Sequence, residues 1–277
     1  MYPKIDRITS VTAAGLGGIL AMVRERVERL RLGARDLERR AAQAPAPPPF
    51  GGRRSDGSVG VIAEVKRRSP SAGAIRATLD AVAHARAYAA ADAVAISVLT
   101  EEAHFGGSVE DLRQVAEAVE LPVLRKDFIL DELQLLEARA AGAAAVLLIA
   151  RILSPVRLRD LAREARRLGL GVLVEVHTTG ELNAAVAVEA AAVGVNCRDL
   201  NSFAVDFATA ERLLPLVPPD VVAVAESGIE TRRDVERMAA AGADHVLVGT
   251  ALTRLAEPGP AVRALGGVRR RQRAGTA

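Results

Sequence analysis

The feature that most constrains this chain is a recurrence of pattern rather than of letters. Eight short runs rich in Val, Ile, Leu and Ala occupy residues 59–66, 93–100, 122–128, 144–150, 171–177, 191–197, 221–228 and 245–252, each followed by a stretch with helical spacing. Runs of this length suit strands better than helices. The intervening segments, such as "SVEDLRQVAEAV", "DELQLLEARAAG" and "ETRRDVERMAAAG", set an apolar stripe against a charged face and often end in glycine, as helices do. Strand–helix alternation implies a parallel sheet with right-handed crossovers, and eight units are the number that closes into a barrel. An open doubly wound sheet is the competing arrangement, but no GxGxxG turn follows the first run. The expectation is an α/β chain, a (β/α)8 TIM barrel with an N-terminal helical extension.

The extension covers residues 1–45, where Leu, Ile, Met and Val recur among Arg and Glu at helical spacing. A Pro/Gly-rich stretch at 46–58 breaks that pattern and reads as a flexible connector. The barrel spans 59–266, and the basic tail 267–277, with "RRRQR" at 269–273, is expected to be disordered. Half of the 277 residues are hydrophobic, enough for a sizeable core. With 37 Lys and Arg against 34 Asp and Glu the net charge is only +3, so no nucleic-acid partner is expected. The longest apolar run, 140–150, falls far short of the roughly 20 residues of a membrane span, so no membrane partner is expected. The lone Cys197 excludes an intrachain disulfide and fits a reducing cytoplasm. No Cys/His pattern suggests a metal, and no cofactor is expected.

A barrel of this kind carries its site at the C-terminal strand ends. Those ends supply Glu64 and Lys66, Lys126, Glu175, Asn196 and Arg198, then Glu226 and Ser227. Glu64 and Lys66 are i and i+2 on a strand and project to one face. Partly buried charges need partners or a ligand to offset desolvation. Gly228, Gly249 and Thr250 close the last two runs, where barrel loops commonly hold phosphate, and Ser69 lies in the loop after Lys66. Phe105 and Phe128 stand in or beside loops, as walls for a flat ring or as core residues. A ring of structural salt bridges remains the plain alternative for the charged set.

"VIAEVKRRSPSAG", "ISVLTEEAHFGGSVEDL", "LPVLRKDFILDELQLLEARAAGAAAVLLI", "VLVEVH", "VGVNCRDL" and "VAESGIETRRDVERMAAAGADHVLVG" stand in an order and spacing that resembles the indole-3-glycerol phosphate synthase family over about residues 10–265. The resemblance implies a tryptophan-pathway carboxy-lyase without metal or redox cofactor, acting on 1-(2-carboxyphenylamino)-1-deoxyribulose 5-phosphate, a phosphorylated small molecule. It implies Lys126 as the acid for ring closure, with Glu175 and the Glu64/Lys66 pair sharing the dehydration. Asn196 and Arg198 orient the anthranilate carboxylate, and Phe105 and Phe128 flank its ring. Gly228, Gly249, Thr250 and Lys66 hold phosphate, Glu226 and Ser227 position sugar hydroxyls and lysines, and Ser69 adds a hydroxyl. A monomer is expected, with weak association with other tryptophan-pathway enzymes at most.

The chain departs from the family pattern in places. Cys197 replaces a second Asn and is expected to point away from the site in a packing role, and His104 is expected to face solvent. Asp92 stands where a helix-ending glycine is usual, and "AVAVEAAAVGVN" lacks the glycine usual before the sixth strand. Phosphoribosylanthranilate isomerase, a rival among phosphosugar enzymes, relies on a Cys/Asp pair where this chain has Glu and Lys. A nucleic-acid binder using "KRRSP" or the tail is the non-enzyme rival, to be recognised by salt-dependent affinity.

Overall fold

A computed structural model of the chain describes residues 15–199, 202 and 204–273. Its centre is a closed parallel barrel of eight strands: β1 (Gly60–Val65), β2 (Ala95–Leu99), β3 (Val123–Lys126), β4 (Ala145–Ile149), β5 (Gly171–Val176), β6 (Ala192–Asn196), β7 (Val222–Glu226) and β8 (His245–Val248). Closure is made by β1, which pairs with β8 on one side, Gly60 opposite His245, and with β2 on the other, Ile62 opposite Ala95. Side chains one residue apart on a strand face opposite ways, and the core divides accordingly. Val61, Ala63 and Val65 join the shell between barrel and helices, with Val172, Val174, Val193 and Val195. Ile62, Ala95, Leu124, Leu147, Leu173, Val224 and Leu247 fill the interior. Each buried Val, Leu or Ile contributes roughly 1.5–3 kcal/mol by leaving water.

The surrounding helices start where the sequence offers caps. Ser108, Asp131, Ser154, Thr178 and Thr231 each accept a first-turn backbone N–H, worth about 1 kcal/mol apiece. Two left-handed residues replace expected glycines. Asp92 has φ 69° and pairs with Arg54 at 2.7 Å, and Glu189, in the stretch before β6, has φ 53°. The turns keep their left-handed geometry without glycine, at a conformational cost that Asp bears better than most residues.

Two helices precede the barrel, α1 (Leu16–Arg31) and α2 (Ala34–Gln43); residues 1–14 of the expected extension lie outside the described residues. Ile19, Leu20 and Val23 of α1 pack with the barrel interior. Arg26 adds a charged anchor, 2.9 Å from Asp127 and 2.5 Å from Glu137. Both acids also bind Arg125, which is completely buried, at 3.0 and 2.7 Å. In "LRKDF", Arg125 and Asp127 face outward to this network, which leaves Lys126 facing in.

The connector makes defined contacts with the barrel along its length. Phe50 packs against the barrel interior, Gly52 accepts from the His245 ring at 2.9 Å, and Arg53 donates to the carbonyls of Pro219 and Val221 at 2.7 Å each. Its prolines and glycines preclude regular structure, but its groups are satisfied by the base of the barrel. The tail reading is corrected over 267–273. Val268 is buried and accepts from the Val59 N–H at 2.7 Å, while Arg273 donates to Val221 O at 2.6 Å and pairs with Asp244 at 2.8 Å. Connector and arginine run are held because Asp244, 2 % exposed, draws Arg53, Arg270 and Arg273 together.

Burial disfavours the Asp244 carboxylate, but Arg53, the Ala223 N–H and Arg273 outweigh it and hold its pKa down at about 2, from an ordinary 3.8. A depressed folded-state value means stability that is full above the ordinary pKa and lost as pH falls towards the folded one. Asp244→Asn is expected to cost on the order of 2–3 kcal/mol at pH 7, with the gap to wild type closing below pH 3. Urea denaturation across that range checks it.

Candidate active site

The interior rows of the barrel climb from apolar to charged. On β1 Ile62 is followed two residues on by Glu64, on β5 Leu173 by Glu175, on β7 Val224 by Glu226, and on β3 Leu124 by Lys126. The two-residue repeat that builds the core therefore brings carboxylates and ammonium groups together at the C-terminal end. Lys126 Nζ lies 3.6 Å from both Glu175 Oε2 and Glu226 Oε2, and Lys66 Nζ lies 2.7 Å from Glu64 Oε1. Glu64, Glu175 and Glu226 are 3 %, 1 % and 1 % exposed, so these charges interact across protein rather than water.

Burial works against the Lys126 ammonium, but Glu175, Glu226 and Glu64 outweigh it and hold its pKa above the ordinary lysine value. Burial, with Glu175 and Glu64 as like charges, pushes Glu226 up to about 7 against the pull of Lys126. Among the described residues neither Glu226 oxygen has a hydrogen-bond partner. Two glycines make room for the acids. A Cβ on Gly194 of β6 would lie 1.8 Å from Glu226 Oε1, and one on Gly249 would lie 2.2 Å from Glu64 Oε1.

Every candidate site residue except Glu226 lines one cavity over these strand ends; Glu226 reaches it through its contact with Lys126. Asn196 Oδ1 accepts the Arg198 N–H at 2.9 Å, bracing the loop that carries the guanidinium. Phe105 and Phe128 face each other with ring centres 6.3 Å apart. Ser227 and Gly228 both take left-handed backbone, φ 69° and 77°, an uncommon conformation for serine and one that collects at functional sites. Ser69 Oγ accepts the Ala72 N–H at 3.1 Å, closing the loop over the rim.

Sequence reasoning missed several parts. Leu16 and Ile19 of α1 line the cavity, although nothing in an amphipathic helix says which surface it will cover. His104 is not solvent-facing: it is half-buried, its Nδ1 3.1 Å from Glu101 Oε1, and Glu101 also accepts the His104 and Phe105 N–H groups. The pair shapes the loop that presents Phe105. Arg67, from "KRRSP", donates to Asp111 and to Leu79 O at 3.0 Å each, pinning the loop inward. Cys197 lies in the shell outside the barrel, 2 % exposed, its thiol pushed up to about 12 by burial. It points away from the cavity and stays protonated. Among the described residues no group of three His, Cys, Asp or Glu is placed to hold a metal ion.

A closed barrel with acids, ammonium groups and aromatic walls converging at its strand ends is an enzyme of the (β/α)8 class built for acid–base chemistry on an anionic small molecule. The family model described as indole-3-glycerol phosphate synthase matches residues 16–265, and the chain belongs to that family. An indole-3-glycerol phosphate synthase from a Nocardioides species is 55 % identical over 208 residues, covering 75 % of this chain and 80 % of its own. One from Desulfosudis oleivorans is 46 % identical over 230 residues, 82 % of this chain and 88 % of its own. Among solved structures, 3-hexulose-6-phosphate synthase from Salmonella typhimurium shares the barrel with a TM-score of 0.57 at 17 % identity, covering 75 % of this chain and 96 % of its own.

For Glu226 the sign of the stability effect is set by its raised pKa. The folded state holds a proton that the unfolded chain releases at lower pH, so stability falls as pH rises from about 4.5 to 7. Glu226→Gln removes that loss. Its thermal midpoint is expected to climb relative to wild type between pH 5 and pH 8 in scanning calorimetry, while its turnover falls.

Proposed function

We propose that this chain carries out the reaction of its family, closing the indole ring of 1-(2-carboxyphenylamino)-1-deoxyribulose 5-phosphate with loss of CO2 and water. The observation that carries the assignment of roles is Lys126 held between Glu175 and Glu226. Its raised pKa keeps it protonated at neutral pH, which a proton donor to the ribulose ketone requires as the ring carbon attacks and negative charge develops on oxygen. CO2 then leaves the same ring carbon and aromaticity returns. Dehydration needs an acid for the departing hydroxyl and a base for the neighbouring proton, and Glu175 and the Glu64/Lys66 pair are in reach of the same space.

The remaining residues bind and orient. Phe105 and Phe128 flank the anthranilate ring, and Arg198, braced by Asn196, takes its carboxylate. Backbone around Gly228, Gly249 and Thr250, with Lys66, takes the phosphate, and Ser69 contributes a hydroxyl from the opposite loop. Glu226 and Ser227 position the sugar hydroxyls and Lys126. We place the protein in the cytoplasm as a monomer. The sole cysteine is a buried free thiol, and the large exposed hydrophobics of the described residues, such as Leu32, Val156 and Leu216, lie on separate elements. No helix among the described residues is long and apolar enough to cross a membrane.

Indole fluorescence should appear when the purified protein meets the substrate. Lys126→Ala should lower kcat by roughly 10²–10⁴-fold, the usual worth of a positioned acid, with circular dichroism unchanged. Near-normal turnover by that variant would remove Lys126 as the acid; silence from a folded wild type would remove the reaction itself.

A further inference from the structure

One buried titratable group next to this site has no part in the chemistry above. His177 follows β5, two residues beyond Glu175, with its side chain 7 % exposed. Its Nε2 lies 3.6 Å from Glu175 Oε1 and its Nδ1 lies 3.4 Å from Glu181 Oε2. Glu181, in the first turn of the helix Thr179–Ala187, also accepts the His177 backbone N–H at 2.6 Å. Among the described residues neither ring nitrogen makes a hydrogen bond, nor does Glu175 Oε1. The two oxygens of Glu175 thus look in different directions, Oε2 to Lys126 and Oε1 to His177.

Both contacts are ion-pair rather than hydrogen-bond distances. Two carboxylates on opposite sides of one ring favour its cationic form, in which both nitrogens carry protons. We infer that His177 is a positioning residue of the reaction, an imidazolium anchored by Glu181 that aims Glu175. The inference rests on the role proposed for Glu175 and adds the group that controls it.

Other charged groups face the same ring. Arg151, in the turn Ala150–Ile152, opposes the positive form but is itself 3.2 Å from Asp199, and the Glu226 carboxyl on β7 favours it. Burial disfavours the charged ring, yet Glu181 and Glu175 outweigh it and raise the pKa. Two other buried histidines show the contrasting case: His84 and His245 meet mainly backbone carbonyls, and burial lowers both.

The test has two arms. In the first, imidazole resonances of the four histidines are titrated by NMR in wild type and Glu175→Gln. His177 should titrate above the ordinary 6.5 and move down by about one unit in the variant. In the second, kcat, KM and their pH profiles are measured for His177→Leu, His177→Gln and Glu181→Gln. His177→Leu should lose roughly 10–100-fold in kcat with little change in KM, and its profile should lose the high-pH limb set by deprotonation of the His177 ring. His177→Gln, which keeps a donor facing Glu175, should recover part of the rate without the wild-type profile. Glu181→Gln, which removes a carboxylate that raises the His177 pKa, should move that limb to lower pH. A His177 titration that ignores Glu175→Gln, or folded variants whose profiles superimpose on wild type, would overturn the inference. If His177→Leu fails to fold, the Gln variants and the titration decide it. Coupling in the NMR arm without turnover by wild type would refute the proposed reaction instead and leave the pairing standing.

Discussion

The structure depends on keeping charges of both signs inside a closed barrel at the point where its apolar rows end. Three carboxylates, Glu64, Glu175 and Glu226, face the ammonium groups of Lys66 and Lys126 with almost no exposure of the acids. An isolated charge so placed would be neutralised by a pKa shift. Here the cationic partner holds, because three acids outweigh the desolvation of Lys126, and the cost shows in Glu226, whose proton affinity rises. The remainder of the fold can be read as what permits this cluster. Apolar rows below it supply the stabilisation, Gly194 and Gly249 vacate the volume, and Phe105 and Phe128 wall the cavity above it.

Two further charge networks hold the frame and stay separate from the site because of strand alternation. Arg125 and Asp127 face outward from β3 to Arg26 and Glu137, tying α1 to the strand that points Lys126 inward. At the opposite end Asp244 gathers the connector and the C-terminal segment onto the barrel base. Stability is thus concentrated at the bottom and on the outside, while the electrostatically strained groups sit at the top, as expected of a barrel that uses one end for chemistry.

How much of this was legible in advance depended on whether the signal was local. The eight strands and the inward row of Glu64, Lys126, Glu175 and Glu226 follow from a two-residue repeat visible in the letters. The left-handed turns at Asp92 and Glu189 were legible only as missing glycines, since φ at a non-glycine is set by what the flanking elements demand. His104 read as a loop residue because Glu101, its partner, is identifiable only once the loop folds back. The connector and the tail looked unstructured for the same reason: arginine, proline and glycine satisfy no local rule, and their partners, Asp244 and the carbonyls of Pro219 and Val221, lie more than 150 residues from Arg53.

The sequence by itself determined the fold class, the end of the barrel that carries the site and the chemical types gathered there, because periodicity and strand polarity are properties of neighbouring residues. Only the tertiary structure decided which charges pair with which, that α1 brings Leu16 and Ile19 to the cavity, and that His177 stands between Glu175 and Glu181. Those outcomes turn on close contacts between groups brought together from different elements. Such contacts are set by closure of the barrel and packing of its shell, which no stretch of chain encodes alone.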